Sequence, residues 1–247
     1  MERSDSMGFI QIAHTTKETL FDLLFPFSCV ECGVEGEVWC AACRCVVRTV
    51  PPSCVRCGLW TPAGSRTRAG RTCDSCKPHS SIYAYVSPYL YDAPSVRELV
   101  HRLKYQRVRA IAPLFGACLA DAFTKAAISL SDISYIVPIP LHPTRERTRG
   151  FNQSGLIADE MSRLTGCPVQ NNVLRRSRRT APQVECSGEE RLANVRDAFA
   201  VADPLAVHDA KILLLDDVKT TGATLEEAAR VLKEAGAKRV WAATVAH

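Results

Sequence analysis

The densest group of chemically active side chains lies at residues 216–224, where two carboxylates precede three threonines and a glycine. The apolar segment 210–215 comes before this group and an amphipathic pattern follows it, which predicts a buried strand, a tight turn and a helix. Such a turn collects backbone N–H groups at the positive end of the helix dipole, so it suits a phosphate. Adjacent carboxylates can accept hydrogen bonds from neighbouring ribose hydroxyls. We therefore expect a sugar that carries a 5′-phosphate to bind here. The candidate residues are Asp216, Asp217, Val218, Lys219, Thr220, Thr221, Gly222, Ala223 and Thr224.

The pattern around these residues is longer than a bare Asp-Asp pair, which would indicate only an acidic helix entry with ordinary capping. Thr224 and Glu227 have the spacing of a capping box, and Gly236 follows the apolar helical face, so both helix ends are predicted. Residues 213–224 (LLLDDVKTTGAT) resemble the loop that binds 5-phosphoribosyl-1-pyrophosphate (PRPP) in phosphoribosyltransferases. Lys219 fills the variable position of that motif.

Three arginines form a second candidate group. Arg145, Arg147 and Arg149 follow the predicted strand Ile133–Ile139 at two-residue spacing, in a segment interpreted as a loop. Arginine suits pyrophosphate because its guanidinium is a fixed fork that binds phosphate oxygens in pairs. We expect Arg145 and Arg149 to contact pyrophosphate and to act in catalysis, and Arg147 to point outward.

Two further basic runs have two interpretations each. Residues 175–183 (RRSRRTAPQ) form either a lid that closes over a phosphate or a solvated run of charge. Arg66, Arg68 and Arg71 form either a nucleic-acid contact or, as we favour, a solvated loop of a zinc module.

Cysteines dominate the first third of the chain. Nine of the twelve lie between Cys29 and Cys76, and eight of these form four Cys-x-x-Cys pairs. Two pairs complete one tetrahedral zinc site, so we expect two structural zinc ions. Disulfides fit poorly with a chain that shows no export signal. Sequential pairing is the simplest arrangement, interleaved pairing is an alternative, and Cys45 could replace one ligand. The predicted ligands are Cys29, Cys32, Cys40, Cys43, Cys54, Cys57, Cys73 and Cys76.

The change in composition predicts three segments. Residues 1–28 form an extension with a short apolar helix at Leu20–Pro26, residues 29–80 a zinc module, and residues 81–247 a larger domain. Strand and helix patterns alternate in the larger domain, beginning with a strand at Ile82–Tyr91 and a helix at Pro94–Tyr105. This alternation predicts an α/β fold with a parallel sheet flanked by helices.

The net charge of +5 favours anionic partners such as phosphates or nucleic acid without choosing among them. The first residues have no apolar run of signal-peptide length, and no stretch has the roughly 18 apolar residues of a spanning helix. We therefore expect a cytoplasmic protein without membrane insertion.

The order of these motifs resembles the ComF family of phosphoribosyltransferase-like competence proteins. The resemblance rests on the cysteine pairs, residues 101–105 (HRLKY), residues 149–153 (RGFNQ) after Pro138–Pro140, residues 180–183 (TAPQ), Arg191 with Asn194, and the loop at 213–224. It implies a type I phosphoribosyltransferase fold, a double zinc ribbon, PRPP bound with Mg²⁺, and a link to single-stranded DNA uptake in natural transformation. Lys104 of the HRLKY motif joins the expected PRPP-binding residues.

Two hypotheses of function follow. The first is Mg²⁺-dependent phosphoribosyl transfer with release of pyrophosphate, in which Asp216 and Asp217 hold the ribose. The second is a non-catalytic PRPP sensor or a module that handles single-stranded DNA or contacts DNA-uptake proteins. The low aromatic content of 7% weakens direct DNA binding, which normally requires stacking side chains. A zinc module stands where phosphoribosyltransferases carry the hood that selects the acceptor, so the sequence names no acceptor.

Overall fold

The computed structural model describes residues 27–64, 69–177 and 195–247. Several predicted features lie outside the described residues: the helix at Leu20–Pro26, Arg66, Arg68, residues 178–183 of the second basic run, Arg191 and Asn194. The chain divides into two compact units between Val47 and Arg48. The first cysteine cluster therefore belongs to the smaller unit and the second to the larger one. The boundaries predicted after residues 28 and 80 remain predictions.

The described helices and strands are as follows. The helices are α1 (Ala41–Val46), α2 (Pro94–His101), α3 (Ile111–Lys125), α4 (Pro143–Arg149), α5 (Gln153–Thr165), α6 (Pro204–Val207) and α7 (Ala223–Glu234). The strands are β1 (Ala84–Val86), β2 (Tyr135–Pro138), β3 (Leu174–Arg176), β4 (Phe199–Val201), β5 (Lys211–Val218) and β6 (Arg239–Ala246). Short 3₁₀ turns occupy Lys77–His79 and Leu130–Asp132.

The smaller unit is built around turns at its cysteines. The amide of Gly33 donates to the carbonyl of Cys29 at 3.0 Å, which closes the turn of the first pair. The sulfur of Cys40 caps α1 by accepting from the amide of Cys43 at 3.5 Å. Both contacts bring the paired sulfurs to one side of the backbone.

A parallel sheet organises the larger unit. Its strand order is β1-β6-β5-β2, and every neighbouring pair is parallel. Residues 212–215 of β5 are completely buried at the centre of the sheet. The predicted α/β fold with helices flanking a parallel sheet is confirmed. The carboxyl ends of β2 and β5 lie side by side, with Pro138 opposite Leu215.

Two elements differ from the prediction near the start of the sheet. The strand predicted from Ile82 to Tyr91 is confined to β1. Pro88 has no N–H for a ladder hydrogen bond, and beyond it Tyr89 pairs with Ala246 only through an isolated parallel bridge. The helix predicted from Pro94 to Tyr105 is α-helical only through His101. Residues Arg102–Gln106 continue it as a π-helical turn.

The arginine segment after β2 is a helix and not the predicted loop. The side chain of His142 accepts from the amide of Thr144 at the start of α4, and Pro143 occupies the first turn. Gly150, with φ of 83°, ends the helix in the left-handed conformation. A proline at the start and a glycine just beyond the end are ordinary helix boundaries.

The second cysteine cluster is joined to the edge of the sheet. Arg71 forms an antiparallel bridge with Ala84 of β1. The amide of Tyr85 donates to the carbonyl of Gly70 at 2.8 Å, and the amide of Thr72 donates to the carbonyl of Tyr83 at 2.9 Å. Gly70 has a positive φ, and a β-carbon there would collide with the carbonyl oxygen of Tyr85. This segment therefore extends the sheet beyond β1.

Candidate functional site

Two carboxylates lie at the carboxyl end of β5. Asp216 accepts from the Ser154 hydroxyl at the start of α5 and from the amide of Asp217, both at 2.9 Å. Asp217 forms an ion pair with Lys104, whose Nζ lies 2.7 Å from its Oδ1. Lys104 belongs to the π-helical turn, which therefore positions a positive charge beside the end of β5.

The ionisable groups at this strand end have different electrostatic environments. Burial, reinforced by the neighbouring charge of Asp217, raises the pKa of Asp216 to about 7. Burial also opposes the charge on Lys104, but the attraction of Asp217 outweighs it and raises the pKa of Lys104 above its ordinary value. A bound ligand that donates hydrogen bonds to Asp216 would favour its ionised form.

The arginines of α4 point in two directions. Arg145 and Arg149 are half-buried and Arg147 is exposed, as predicted. A spacing of four residues places the first two on one helical face, which explains the difference. The Nη1 of Arg149 donates to the Gln153 side-chain oxygen at 3.1 Å, and its guanidinium lies 5.3 Å from the centre of the Tyr105 ring.

These groups surround one cavity of about 750 Å³. It brings together the predicted residues Lys104, Arg145, Arg149, Asp216, Asp217, Val218, Thr220 and Thr224. Arg176, His101, Tyr105 and Arg107 also line it. The volume lies within the range of small-molecule sites. The strand end, the arginine helix and the π-helical turn thus converge on a single cationic and acidic pocket.

The turn between β5 and α7 differs in detail from the prediction. The helix begins at Ala223 with Gly222 as its N-cap residue, so the capping box of Thr224 and Glu227 is wrong. Gly222 has a φ of 82°, which favours glycine. Glu227 instead accepts from the amide of Asp197 at 2.8 Å and from Arg230.

Two other residues of this loop, Thr221 and Lys219, do not line the cavity. The amide of Ala223 donates to the Thr221 hydroxyl at 3.4 Å. The side chain of Lys219 turns toward Tyr85, with its Nζ 5.7 Å from the ring centre. The loop therefore presents two threonines to the cavity and directs its lysine elsewhere.

The sequence did not identify several residues of the site. Ser154 carries no motif signal, since serine at a helix start is ordinary. Arg176 was assigned to a basic run, whereas it lies on β3 beside the cavity, where burial and the charge of Arg145 lower its pKa. Tyr105 stands next to Lys104 in the HRLKY motif, and this adjacency was the available signal.

The cysteines form two groups in sequence order, as the simplest pairing predicted. Within each group the sulfur atoms lie within 4.8 Å of one another. Burial disfavours the Cys54 thiolate, but backbone N–H groups around it lower its pKa to about 7. Four thiols at this spacing fit a tetrahedral zinc ion. Cys45 is exposed and lies outside both groups. The groups are Cys29, Cys32, Cys40 and Cys43, and Cys54, Cys57, Cys73 and Cys76.

The carboxylates of the cavity fit a magnesium ion. Mg²⁺ takes oxygen ligands and is usually held by one or two carboxylates together with phosphates and water. Asp216 and Asp217 supply that donor set next to space for a phosphorylated ligand.

Comparisons with known proteins agree with this geometry. The family model of the phosphoribosyl transferase domain matches residues 148–247. DNA utilization protein YhgH of Salmonella typhi is 34% identical over 203 residues, covering 81% of this chain and 86% of that protein. The chain belongs to the ComF family.

Two further ComF-family relatives match. Competence protein F of Haemophilus influenzae is 26% identical, over 87% of this chain and 95% of that protein. Competence protein ComFC of Bacillus subtilis is 29% identical, over 76% of this chain and 69% of that protein. Within the part of the chain described, no helix is both long and apolar enough to cross a membrane.

Proposed function

We propose that this ComF-family chain binds PRPP and transfers its phosphoribosyl group with release of pyrophosphate. One observation carries the proposal. Residues of the loop after β5, the arginine face of α4 and Lys104 of the π-helical turn line the same cavity. The carboxylates that can bind a ribose and the cations that can bind a pyrophosphate thus line the same cavity, so one ligand can contact both.

The proposed reaction breaks the bond between ribose C1 and the pyrophosphate oxygen, which leaves with the bonding electrons while an acceptor nucleophile bonds to C1. Positive charge grows on the ribose and negative charge on the leaving oxygens. Arg145 and Arg149 stabilise the leaving group, because fixed cations in a sheltered site need no reorganisation during the reaction. Asp216 and Asp217 orient the ribose through its hydroxyls and stabilise the positive charge on its ring.

The loop after β5 holds the 5′-phosphate. Thr220 and Thr224 face the cavity, and Thr224 lies in the first turn of α7, where amide N–H groups favour an anion. Mg²⁺ bound with the pyrophosphate would supply further positive charge for its departure.

The metals and the setting belong to the same proposal. Two zinc ions, one in each cysteine cluster, act structurally, and the protein acts in the cytoplasm. The names of the relatives refer to DNA utilization and competence. We infer from them that the reaction or the bound PRPP serves DNA uptake.

A second function has one observation in its favour. The ring of Tyr105 is 62% exposed at the rim of the cavity, beside the Arg149 guanidinium and 4.9 Å from the His101 ring. Exposed aromatic rings beside cations stack bases of single-stranded nucleic acid. The chain would then act as a non-catalytic sensor of PRPP or as a DNA-handling module.

Binding and catalysis are tested separately. PRPP with Mg²⁺ is expected to raise the melting temperature of the full chain by several degrees at millimolar ligand, and Asp216→Asn with Asp217→Asn to abolish that rise. Pyrophosphate release is then screened against a panel of acceptors that includes single-stranded DNA. Binding without release against any acceptor would favour the sensor. Absence of PRPP binding would contradict both the transferase and the sensor, and would leave only the DNA-handling module.

A further inference from the structure

Lys219 links the loop after β5 to the second cysteine cluster. Its side chain lies over the buried ring of Tyr85, away from the cavity. A β-carbon on Gly222, which faces Val55 beside the ligand Cys54, would lie 3.2 Å from the Cε of Lys219. A zinc ion with four thiolates carries a net charge of about −2. Lys219 is the residue of the loop whose positive charge can stabilise this negative group.

The backbone of the cluster also approaches the turn. A β-carbon on Gly222 would lie 3.8 Å from the carbonyl oxygen of Val55, which stands between two of the cysteine ligands. Val55 is 1% exposed and belongs to the same apolar core as Tyr85 and Leu225. Residues of the first Cys-x-x-Cys turn of this cluster therefore pack beneath the residues that begin α7.

Glu226 makes a third connection. Its carboxylate, in the first turn of α7, accepts from the Ser80 hydroxyl at 2.6 Å and from the amide of Ser81 at 3.1 Å. These serines follow the last cysteine ligand, Cys76, by a short 3₁₀ turn. Arg56, between Cys54 and Cys57, donates to the carbonyl of His79 and so connects this turn to the 3₁₀ turn after Cys76.

We propose that metal in the second cluster positions the phosphate-binding turn, with Lys219 and Glu226 as the positioning residues, so that metal occupancy and binding of a phosphorylated ribose are thermodynamically linked. This inference rests on the proposed PRPP site. A linkage of this kind is reciprocal: if the metal strengthens ligand binding, the ligand must strengthen metal binding by the same factor. Loss of metal from this cluster, for example to a chelator, would then release the ligand.

The reciprocal effect is measurable in the unaltered full chain loaded with zinc. Zinc transfer to a coloured chelator is followed with and without ribose 5-phosphate, which carries the ribose and the 5′-phosphate but no chelating pyrophosphate. Calorimetry first establishes that ribose 5-phosphate binds. At equilibrium with the chelator, we expect ribose 5-phosphate to raise the zinc affinity of one cluster about 5-fold, equivalent to a coupling of about 1 kcal/mol. The responding site is assigned to the second cluster if Cys57→Ser, which removes one of its ligands, eliminates the effect.

The outcomes separate the two proposals. Binding of ribose 5-phosphate with unchanged zinc affinity overturns this inference and leaves the proposed function intact. Failure of both PRPP and ribose 5-phosphate to bind overturns the proposed function and this inference with it.

Variants test the positioning residues. Lys219→Met is expected to weaken ribose 5-phosphate binding about 5-fold to 10-fold and to remove its effect on zinc affinity, because the positive charge is lost while the side-chain length is kept. Lys219→Arg should restore both. Lys233→Met is the matched control, since Lys233 lies at the far end of α7 and donates to the carbonyls of Ala237 and Lys238. If Lys219→Met binds and protects zinc like the parent chain, Lys219 has no positioning role.

Glu226→Gln examines the remaining connection. The amide keeps the shape of the side chain but loses its charge and one acceptor oxygen, so the bonds from Ser80 and Ser81 weaken. We expect weaker ribose 5-phosphate binding and a smaller effect of the ligand on zinc affinity. Unchanged values for both would contradict the assignment of Glu226.

Discussion

Asp216 and Asp217 lie side by side at the end of β5, and Lys104 pairs directly with only one of them, at 2.7 Å from Asp217. Asp216 is left with a raised pKa of about 7, although it accepts from the Ser154 hydroxyl. A buried carboxylate whose ionised form is disfavoured lowers the free energy of unfolding of the unliganded protein. It becomes useful when a ligand hydroxyl supplies the missing hydrogen bond, which is common at functional sites.

Replacing Asp216 should therefore stabilise the unliganded chain in a pH-dependent way. Its folded pKa is raised above the unfolded value, so the folded state holds the proton more tightly. Stability is accordingly lost as the pH rises from about 4 to about 7. Asp216→Asn removes that loss and keeps an oxygen for the Ser154 hydroxyl. We expect a higher melting temperature than the parent at pH 8, by roughly 2–4 °C per kcal/mol recovered, and little difference at pH 5. Equal melting temperatures at pH 8 would show that the carboxylate is not strained.

The two faces of α4 give a matched pair of substitutions. Arg145→Gln should weaken pyrophosphate binding about 10-fold or more, because it removes a half-buried cation that lines the cavity. Arg147→Gln removes the same charge from the exposed side of the same helix and should change binding less than about 2-fold. Titration calorimetry with pyrophosphate and Mg²⁺ measures both. Equal losses would mean that the effect is one of net charge and that α4 does not form the site.

The candidate residues that are contiguous in sequence could be predicted, and those that meet through the fold could not. The loop from Asp216 to Thr224 forms one motif, so its residues were identified together. Ser154 and Arg176 reach the cavity from separate elements and have no local pattern. The partner of Glu227 was missed for the same reason: the amide of Asp197 is 30 residues away along the chain.

At the scale of elements, the site is made where helices begin and end. The π-helical turn Arg102–Gln106 places Lys104 against β5. On α4, Arg145 and Arg149 line the cavity, whereas Arg147 is exposed to solvent. The helical boundaries of α4 were present in the sequence as Pro143 and Gly150, but the arginines between them have no apolar periodicity. Helix α7 begins one residue before the predicted capping residue, because Gly222 supplies the left-handed backbone at its start.

The turn before α7 can be tested with two glycines of similar backbone. Gly222→Ala and Gly166→Ala both place a side chain at positive φ, 82° and 75°, and each should cost about 1 kcal/mol of stability. At Gly222 the new β-carbon would also press on the Lys219 side chain, at 3.2 Å from its Cε, whereas Gly166 has open space. We therefore expect only Gly222→Ala to weaken ribose 5-phosphate binding, by several-fold. Chemical denaturation and calorimetry measure the two effects, and equal binding by both variants would refute the expectation.

In the molecule as a whole, the two cysteine clusters belong to different compact units. The chain divides between Val47 and Arg48, which leaves the second cluster in the same unit as the sheet. The sequence could show the spacing of the ligands but not this division, because the bonds that join the second cluster to β1 and α7 are long-range. The parallel order of the sheet was predictable from alternating strands and helices, since crossovers of that length impose it.

Removal of zinc should consequently destabilise the α/β sheet itself. A strong zinc chelator is expected to lower the main melting transition by about 10 °C or more, because structural zinc contributes several kcal/mol to the fold it binds. The transition is followed by far-ultraviolet circular dichroism, because Trp39, Trp60 and Trp241 would all contribute to the fluorescence. The same chelator saturated with zinc serves as the control. An unchanged transition after verified loss of zinc would show that the sheet does not depend on the cluster.

The extension of the sheet beyond β1 also has a consequence for aggregation. An uncovered edge strand offers unpaired N–H and C=O groups to other chains. Here Gly70, Arg71 and Thr72 occupy the outer side of β1, and this stretch leads directly into the ligand Cys73. A chain synthesised without enough zinc would leave that edge open to other chains. Zinc supply during synthesis would then govern how much of the protein reaches a monodisperse state.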